Sequence, residues 1–274
     1  MDAADTNIKG FTEIVLNKIK LQKMYKAFIS AALAVNTTAF EIVYPGDQVD
    51  AIRIDRSDYK PVFKWPKRSP RCGATMVAPR VALTAAHCLD ADEDGVNPGM
   101  TVELWDGAVY DIVEFRTNEC WNFASGGGPY SADIAIMILD RDINDAKEGE
   151  TYYKPWNAEE QEETVEGRKF ILAGWGQSGS VNENGDFDES HHERGMEIFH
   201  RGYNMVNSIE NNMLVYTMDS PENGGLPLES MGHYGDSGSG ALMIDPEGAS
   251  EEEGTIYIIG VKSNGEMGQW GTSH

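Results

Sequence analysis

The chain has 274 residues, 41% hydrophobic and 24% charged, enough to bury the core of one large domain or two small ones. A formal net charge of −23 argues against nucleic acid and anionic membrane surfaces as partners, because phosphates and acidic headgroups would be repelled. Much of the acid lies in runs such as "DADEDG" (90–95), "AEEQEETVEG" (158–167) and "EGASEEEG" (247–254), the composition of solvated, self-repelling loops.

At the N-terminus, lysines at 18, 20, 23 and 26 precede an apolar run from Ala27 to Val35 and small residues ending at Ala39. That is the layout of a secretory signal, so residues 1–39 are expected to be an N-terminal extension and signal peptide, and the protein to be secreted. An amphipathic helix packed on the domain is the other reading. The run is too short to span a bilayer, and no stable membrane anchor is expected.

From about residue 60 the pattern favours strands. "ATMVA" and "RVALTAA" are short apolar runs separated by Pro79. "TVELW" and "AVYDIVEF" flank Asp106-Gly107, a pair that accepts the positive φ of a tight hairpin turn. "DIAIMIL" (133–139), "KFILAGW" (169–175), "NMLVYTM" (212–218), "GALMI" (240–244) and "TIYIIGVKS" (255–263) follow, with no long helical period between them. A parallel βαβ sheet is therefore disfavoured, and an all-β sandwich or pair of barrels fits. The acidic stretch 142–167 is the best linker candidate, dividing strand-rich halves at about 60–141 and 168–274.

Three cysteines are too few for a disulfide-built scaffold. Cys72 and Cys88 flank two apolar runs and could close one loop, which would imply an oxidising compartment, with Cys120 left over.

One stretch raises a question of chemistry. "HYGDSGSGALM" (233–243) places Ser237 between glycines, after an aspartate and before an apolar run. Read alone it fits a plain turn. A nucleophilic serine would need a base and a group to orient that base. Among six histidines, His87 ends the apolar run "RVALTAAHCLD", where it could be held rigidly yet reach a cleft; a structural histidine fits equally. Asp133 heads a continuous apolar run, where a carboxylate must be bonded or paired. An imidazole N–H would suit it, as would nearby backbone N–H groups. The order His, Asp, Ser and the serine at position 239 both exclude the nucleophile elbow of α/β-hydrolases.

Together "LTAAHC" (83–88), "DIAIMIL", "GWG" (174–176) and "GDSGSGAL" (235–242) resemble the trypsin-like, chymotrypsin-fold serine proteases over roughly residues 72–265. The resemblance implies an all-β fold of two packed six-stranded antiparallel β-barrels: a first barrel at about 60–141, the linker 142–167, and a second barrel at about 168–274. Residues 40–274 would form the peptidase domain, with the second barrel incomplete at the C-terminus. It further implies a secreted serine endopeptidase with His87 as general base, Asp133 as its orienting acid and Ser237 as nucleophile. Gly235 and Ser237 would form the oxyanion hole. Cys72 and Cys88 would be bridged, Cys120 free, and Ser263, Asn264 and Gly265 would line the substrate cleft. No cofactor is implied, and the partners would be protein or peptide substrates and protease inhibitors. His191-His192-Glu193 lacks metalloprotease spacing, so no metal site is expected.

The pattern departs from the family in places. Position 239 is Ser where a glycine is usual, and His233 and Gln269 stand near where second-barrel cysteines would be. In the family a freed N-terminus, usually Ile-Val, pairs with the aspartate before the serine, here Asp236. Ile42-Val43 is available for this, but Glu41 is not the usual basic cleavage residue. The pocket-floor position, six residues before Ser237, is Met231. A thioether cannot pair a buried Lys or Arg, so an apolar residue before the scissile bond is expected, with Gly232 and Gly265 leaving room, unless Glu229 reaches the floor through a loop shift. The alternative function is a catalytically silent homologue that binds partners through the same cleft.

Overall fold

In the computed structural model, residues 52–65, 72–90, 100–121, 132–158, 163–181, 187–193, 197–219, 223–232, 235–247, 249–251 and 253–264 are described, with two N-terminal strands, β1 (Leu33–Asn36) and β2 (Ile42–Pro45). Six further strands make the first barrel: β3 (Val62–Trp65), β4 (Cys72–Ala78), β5 (Val81–Thr84), β6 (Thr101–Glu103), β7 (Val109–Thr117) and β8 (Ala135–Leu139). They pair antiparallel in the order β3-β4-β5-β8-β7-β6, and β3 and β6 approach one another, so the sheet nearly closes. Arg56, on a 3-10 turn ahead of β3, stitches that seam by donating to the Glu103 carbonyl at 2.9 Å.

Burial explains the two kinds of strand pattern. β8 reads as an unbroken apolar run because both its faces are buried, whereas the first half of β7 alternates buried and exposed because one face meets water. The expected Asp106-Gly107 turn is present: Gly107 has φ +76°, and the Asp106 carboxylate accepts the Ala108 N–H at 2.9 Å.

The described part of 142–167 is anchored to the body of the fold through two aromatic residues. The Tyr153 N–H donates to the Met76 carbonyl at 3.0 Å while its ring joins the first core; Trp156 is buried in a second core with Phe170, Leu172 and Tyr216. Between them β9 (Lys154–Pro155) runs parallel to β17 (Thr255–Asn264). The acidic composition of this stretch concealed these two aromatic anchors.

The second half is an eight-stranded sheet. With β10 (Lys169–Gly174), β13 (His200–Met205), β14 (Ser208–Glu210), β15 (Met213–Val215) and β16 (Gly240–Asp245), its order is β13-β10-β16-β17-β1-β15-β14, β9 flanking β17. A small sheet of β12 (Phe187–Glu193), β11 (Ser178–Val181) and β2 lies beside it, and the His191-His192-Glu193 run falls on β12. β1, from the apolar run of the candidate signal, lies parallel to both β17 and β15; the rest of that signal lies outside the described residues. An apolar run of this length suits either a leader or a buried strand. Ile171, Ala173, Trp175, Leu242, Ile258 and Val261 belong to the same buried cluster as the first barrel, so the two halves share a core. Among the described residues no helix is long and apolar enough to cross a membrane.

Cys72 and Cys88 are bridged, with Cα atoms 6.2 Å apart, and Cys120 is free and exposed. The bridge joins residues 16 apart. Replacing both cysteines with alanine should lower the free energy of urea unfolding by about 3 kcal/mol, the loop-closure value for such a length. A drop below about 0.5 kcal/mol, within the scatter of ordinary surface changes, would show that the bridge constrains nothing.

Candidate active site

The segment carrying His87 follows β5 directly. Small residues Ala85 and Ala86, fully buried, let the chain turn into a single helical turn, α1 (His87–Asp90), with the Cys88 and Leu89 N–H groups donating back to Ala85 and Ala86. Ala86 packs against Trp121 and Ala135, so the turn sits on the barrel rather than above it.

Asp133, just before β8, meets this turn twice. Its Oδ1 accepts the His87 backbone N–H at 2.7 Å, and its Oδ2 lies 2.6 Å from His87 Nδ1. The Ser263 hydroxyl also donates to Oδ2. The carboxylate is 1% exposed, and three donors satisfy it. A carboxylate on Nδ1 selects the tautomer that carries its proton there, leaving Nε2 as an acceptor on a ring that is 35% exposed.

Ser237 sits on a turn whose flanks need glycine. Gly235 and Gly238 have φ of +98° and +84°, and a Cβ at Gly238 would fall 2.3 Å from both the Gly73 carbonyl and Thr84 Oγ1. The space is used. The Gly73 N–H donates to the Ser237 carbonyl at 2.7 Å, tying the turn to β4 beside the disulfide. Cys88 Sγ lies 3.9 Å from His87 Nε2 and 3.6 Å from the Ser237 carbonyl oxygen, so the bridge joins the two segments at the site. From the other side, Gly238 N–H donates to the Lys262 carbonyl at 2.7 Å and Lys262 N–H to the Ser239 carbonyl at 2.9 Å.

Asp236 points inward. It is 3% exposed, its Oδ1 accepts the Gly176 N–H at 2.7 Å, and its Oδ2 lies 3.8 Å from Lys262 Nζ. This explains "GWG": a Cβ on Gly174 or Gly176 would fall 2.1 or 2.4 Å from the carboxylate oxygens. Trp175 between them seals the junction of the halves, with Lys64 Nζ 4.7 Å above its ring and the Phe199 ring 5.0 Å away.

The residues read as substrate-binding divide. Ser263, 3% exposed, has its hydroxyl on Asp133. Asn264 ends β17, and Gly265 lies outside the described residues, as do His233 and Tyr234. Met231 is half-buried and packs against the second core. Gly232, read as leaving room, has its open side filled, since a Cβ there would meet Lys262 Nζ at 2.4 Å. Glu229 does not replace a pocket-floor carboxylate. It is 4% exposed and accepts the backbone N–H groups of Asp219 and Leu226, while burial raises its pKa.

Sequence reasoning passed over Lys262 and the bond from Ser263 to Asp133. A lysine inside "TIYIIGVKS" was the available signal, because buried strands almost never carry an unpaired charge.

A vitellin-degrading protease of Bombyx mori is 33% identical over 108 residues, 38% of this chain and 38% of its own length. Serine protease Hayan of Drosophila melanogaster is 27% identical over 139 residues, 47% of this chain and 21% of its own length. The chain therefore spans well under two thirds of either relative. The trypsin family model matches residues 54–272, which takes in His87, Asp133, Ser237 and both halves of the fold, and the chain belongs to the trypsin family.

Proposed function

We propose that this chain is a serine endopeptidase that hydrolyses protein or peptide substrates through His87, Asp133 and Ser237. The observation that carries the reading is the pair of hydrogen bonds between Asp133 and His87, at 2.7 Å from Oδ1 to the backbone N–H and 2.6 Å from Oδ2 to Nδ1. It fixes both the place and the tautomer of the ring.

Ser237 Oγ attacks the scissile carbonyl carbon while His87 Nε2 takes the hydroxyl proton. The carbonyl oxygen becomes an oxyanion bonded by the N–H groups of Gly235 and Ser237, donors whose contribution grows as charge develops. His87 then gives its proton to the leaving amine, the C–N bond breaks, and an ester to Ser237 remains. Water attacks that ester by the reverse proton transfers and releases the acid. Asp133 holds the ring in place and stabilises the imidazolium as it forms. Met231 in place of a carboxylate supports discrimination against Lys and Arg before the scissile bond. The disulfide and the basic-then-apolar N-terminal layout support secretion.

A fluorophosphonate probe tests the reading directly. Wild-type protein should be labelled on Ser237 alone, and Ser237→Ala should take no label. Folded wild-type protein that stays unlabelled, both as the full chain and after cleavage ahead of Ile42, would favour the silent homologue.

A further inference from the structure

We propose that Lys262 is a positioning residue for this hydrolysis: from inside the strand beside the site, its ammonium holds the Asp236 carboxylate, and with it the turn bearing Ser237, without a freed N-terminus. The proposal rests on the protease reading above.

Lys262 is 3% exposed and touches the turn in two ways. Its backbone bonds to Gly238 and Ser239 on one side, and its side chain reaches back across Gly232 to within 3.8 Å of Asp236 Oδ2. The glycine at 232 is what admits the stem, whose Cδ and Cε would both lie 2.6 Å from a Cβ there. The stem fills the space so completely that the remaining cavity, lined by Leu172, Ala173, Gly232, Asp236, Ser239 and Gly240, is only about 10 Å³. Water has little room to solvate either charge, so each depends on its partners.

The ammonium is well suited to this place. Burial pushes its pKa down to about 8, Asp236 opposes the shift, and at neutral pH most of it keeps its proton. Ile42, the candidate for an activating N-terminus, lies instead within β2, in register with Ser178 of β11. Without the lysine, the buried Asp236 carboxylate keeps the Gly176 N–H but loses the Lys262 ammonium. Its cheapest relief is to rotate toward water, and that moves the backbone of the residues on either side, Gly235 and Ser237. The expected lesion is therefore a misplaced nucleophile and oxyanion pair in a folded protein.

The test uses the full chain with its N-terminus ahead of Ile42, verified by intact mass. The readouts are the fluorophosphonate labelling rate and kcat and KM on a peptide substrate. Wild type should label without cleavage. Lys262→Met, nearly isosteric, should label roughly 100-fold more slowly and lose kcat rather than KM, as expected when one partner of a buried pair is removed. Lys262→Ala should recover with n-propylammonium, which replaces the missing stem and charge, and not with 1-propanol, which fills the space without charge. Wild-type rates in Lys262→Met would overturn the proposal. So would equal effects of the amine and the alcohol on Lys262→Ala, or no recovery with either, and these decide the matter even if Lys262→Met does not fold. A wild-type chain that labels only after cleavage ahead of Ile42 would also overturn it while leaving the protease reading intact. A chain silent before and after cleavage would remove both.

Discussion

Ser237→Ala and His87→Ala are each expected to lower kcat for peptide hydrolysis by on the order of 10⁴–10⁶, with little change in KM. In the proposed mechanism the serine supplies the only atom that bonds covalently to substrate, and the alanine methyl offers no hydroxyl in its place. The fold should survive, because what Ser237 gives the architecture is its backbone carbonyl, which accepts from Gly73 at 2.7 Å. His87 likewise gives its backbone N–H to Asp133, a bond alanine retains. The double variant should therefore be no slower than the worse single one, because neither group works without the other. Losses that multiply would mean the two side chains act separately. Hydrolysis by Ser237→Ala within tenfold of wild type would show that a different group carries the reaction.

The parts of this fold legible in sequence are those where burial is heaviest. β4, β5, β8, β16 and β17 announce themselves because apolar side chains occupy both faces, and the apolar runs end close to the observed strand ends. The short polar strands β11 to β14 give no such contrast, and β14 is half-exposed or exposed throughout. The three residues of the candidate triad were readable because each stands at the junction of an apolar run and a turn. What lies behind them was not. Asp133 and Ser263 are 130 residues apart, and Asp236 and Lys262 meet only because β17 passes beside the Ser237 turn. Such contacts are set by the closing of one half of the molecule on the other, and no local periodicity encodes them. Met231 shows a further limit. Counting back from Ser237 gives its place in the chain, but not that its half-buried side chain packs against the second core, a contact set by tertiary closure.

Asp133→Asn should lower kcat by about 10⁴, as the same exchange does in a generic serine triad, while Ser237 and His87 remain in place. The carboxylate accepts from three donors, the His87 N–H on one oxygen and His87 Nδ1 and the Ser263 hydroxyl on the other. A carboxamide offers one acceptor oxygen and one NH₂ group, so it cannot satisfy this set. With its NH₂ toward the ring, Nδ1 must become the acceptor and the proton moves to Nε2, where it blocks uptake from the serine. With its NH₂ toward the His87 backbone, two donors face each other at a separation made for a hydrogen bond, and the turn is pushed off β8. The first arrangement costs rate and the second costs stability, on the order of 1–3 kcal/mol for a buried group left unsatisfied. Ser263→Ala separates these effects, since it removes one donor and leaves the tautomer unchanged. It should lower kcat by no more than about tenfold, the equivalent of one ordinary hydrogen bond. If Asp133→Asn and Ser263→Ala reduce kcat equally, with KM unchanged in both, Asp133 does not select the tautomer of His87, and the proposed division of labour between these residues fails.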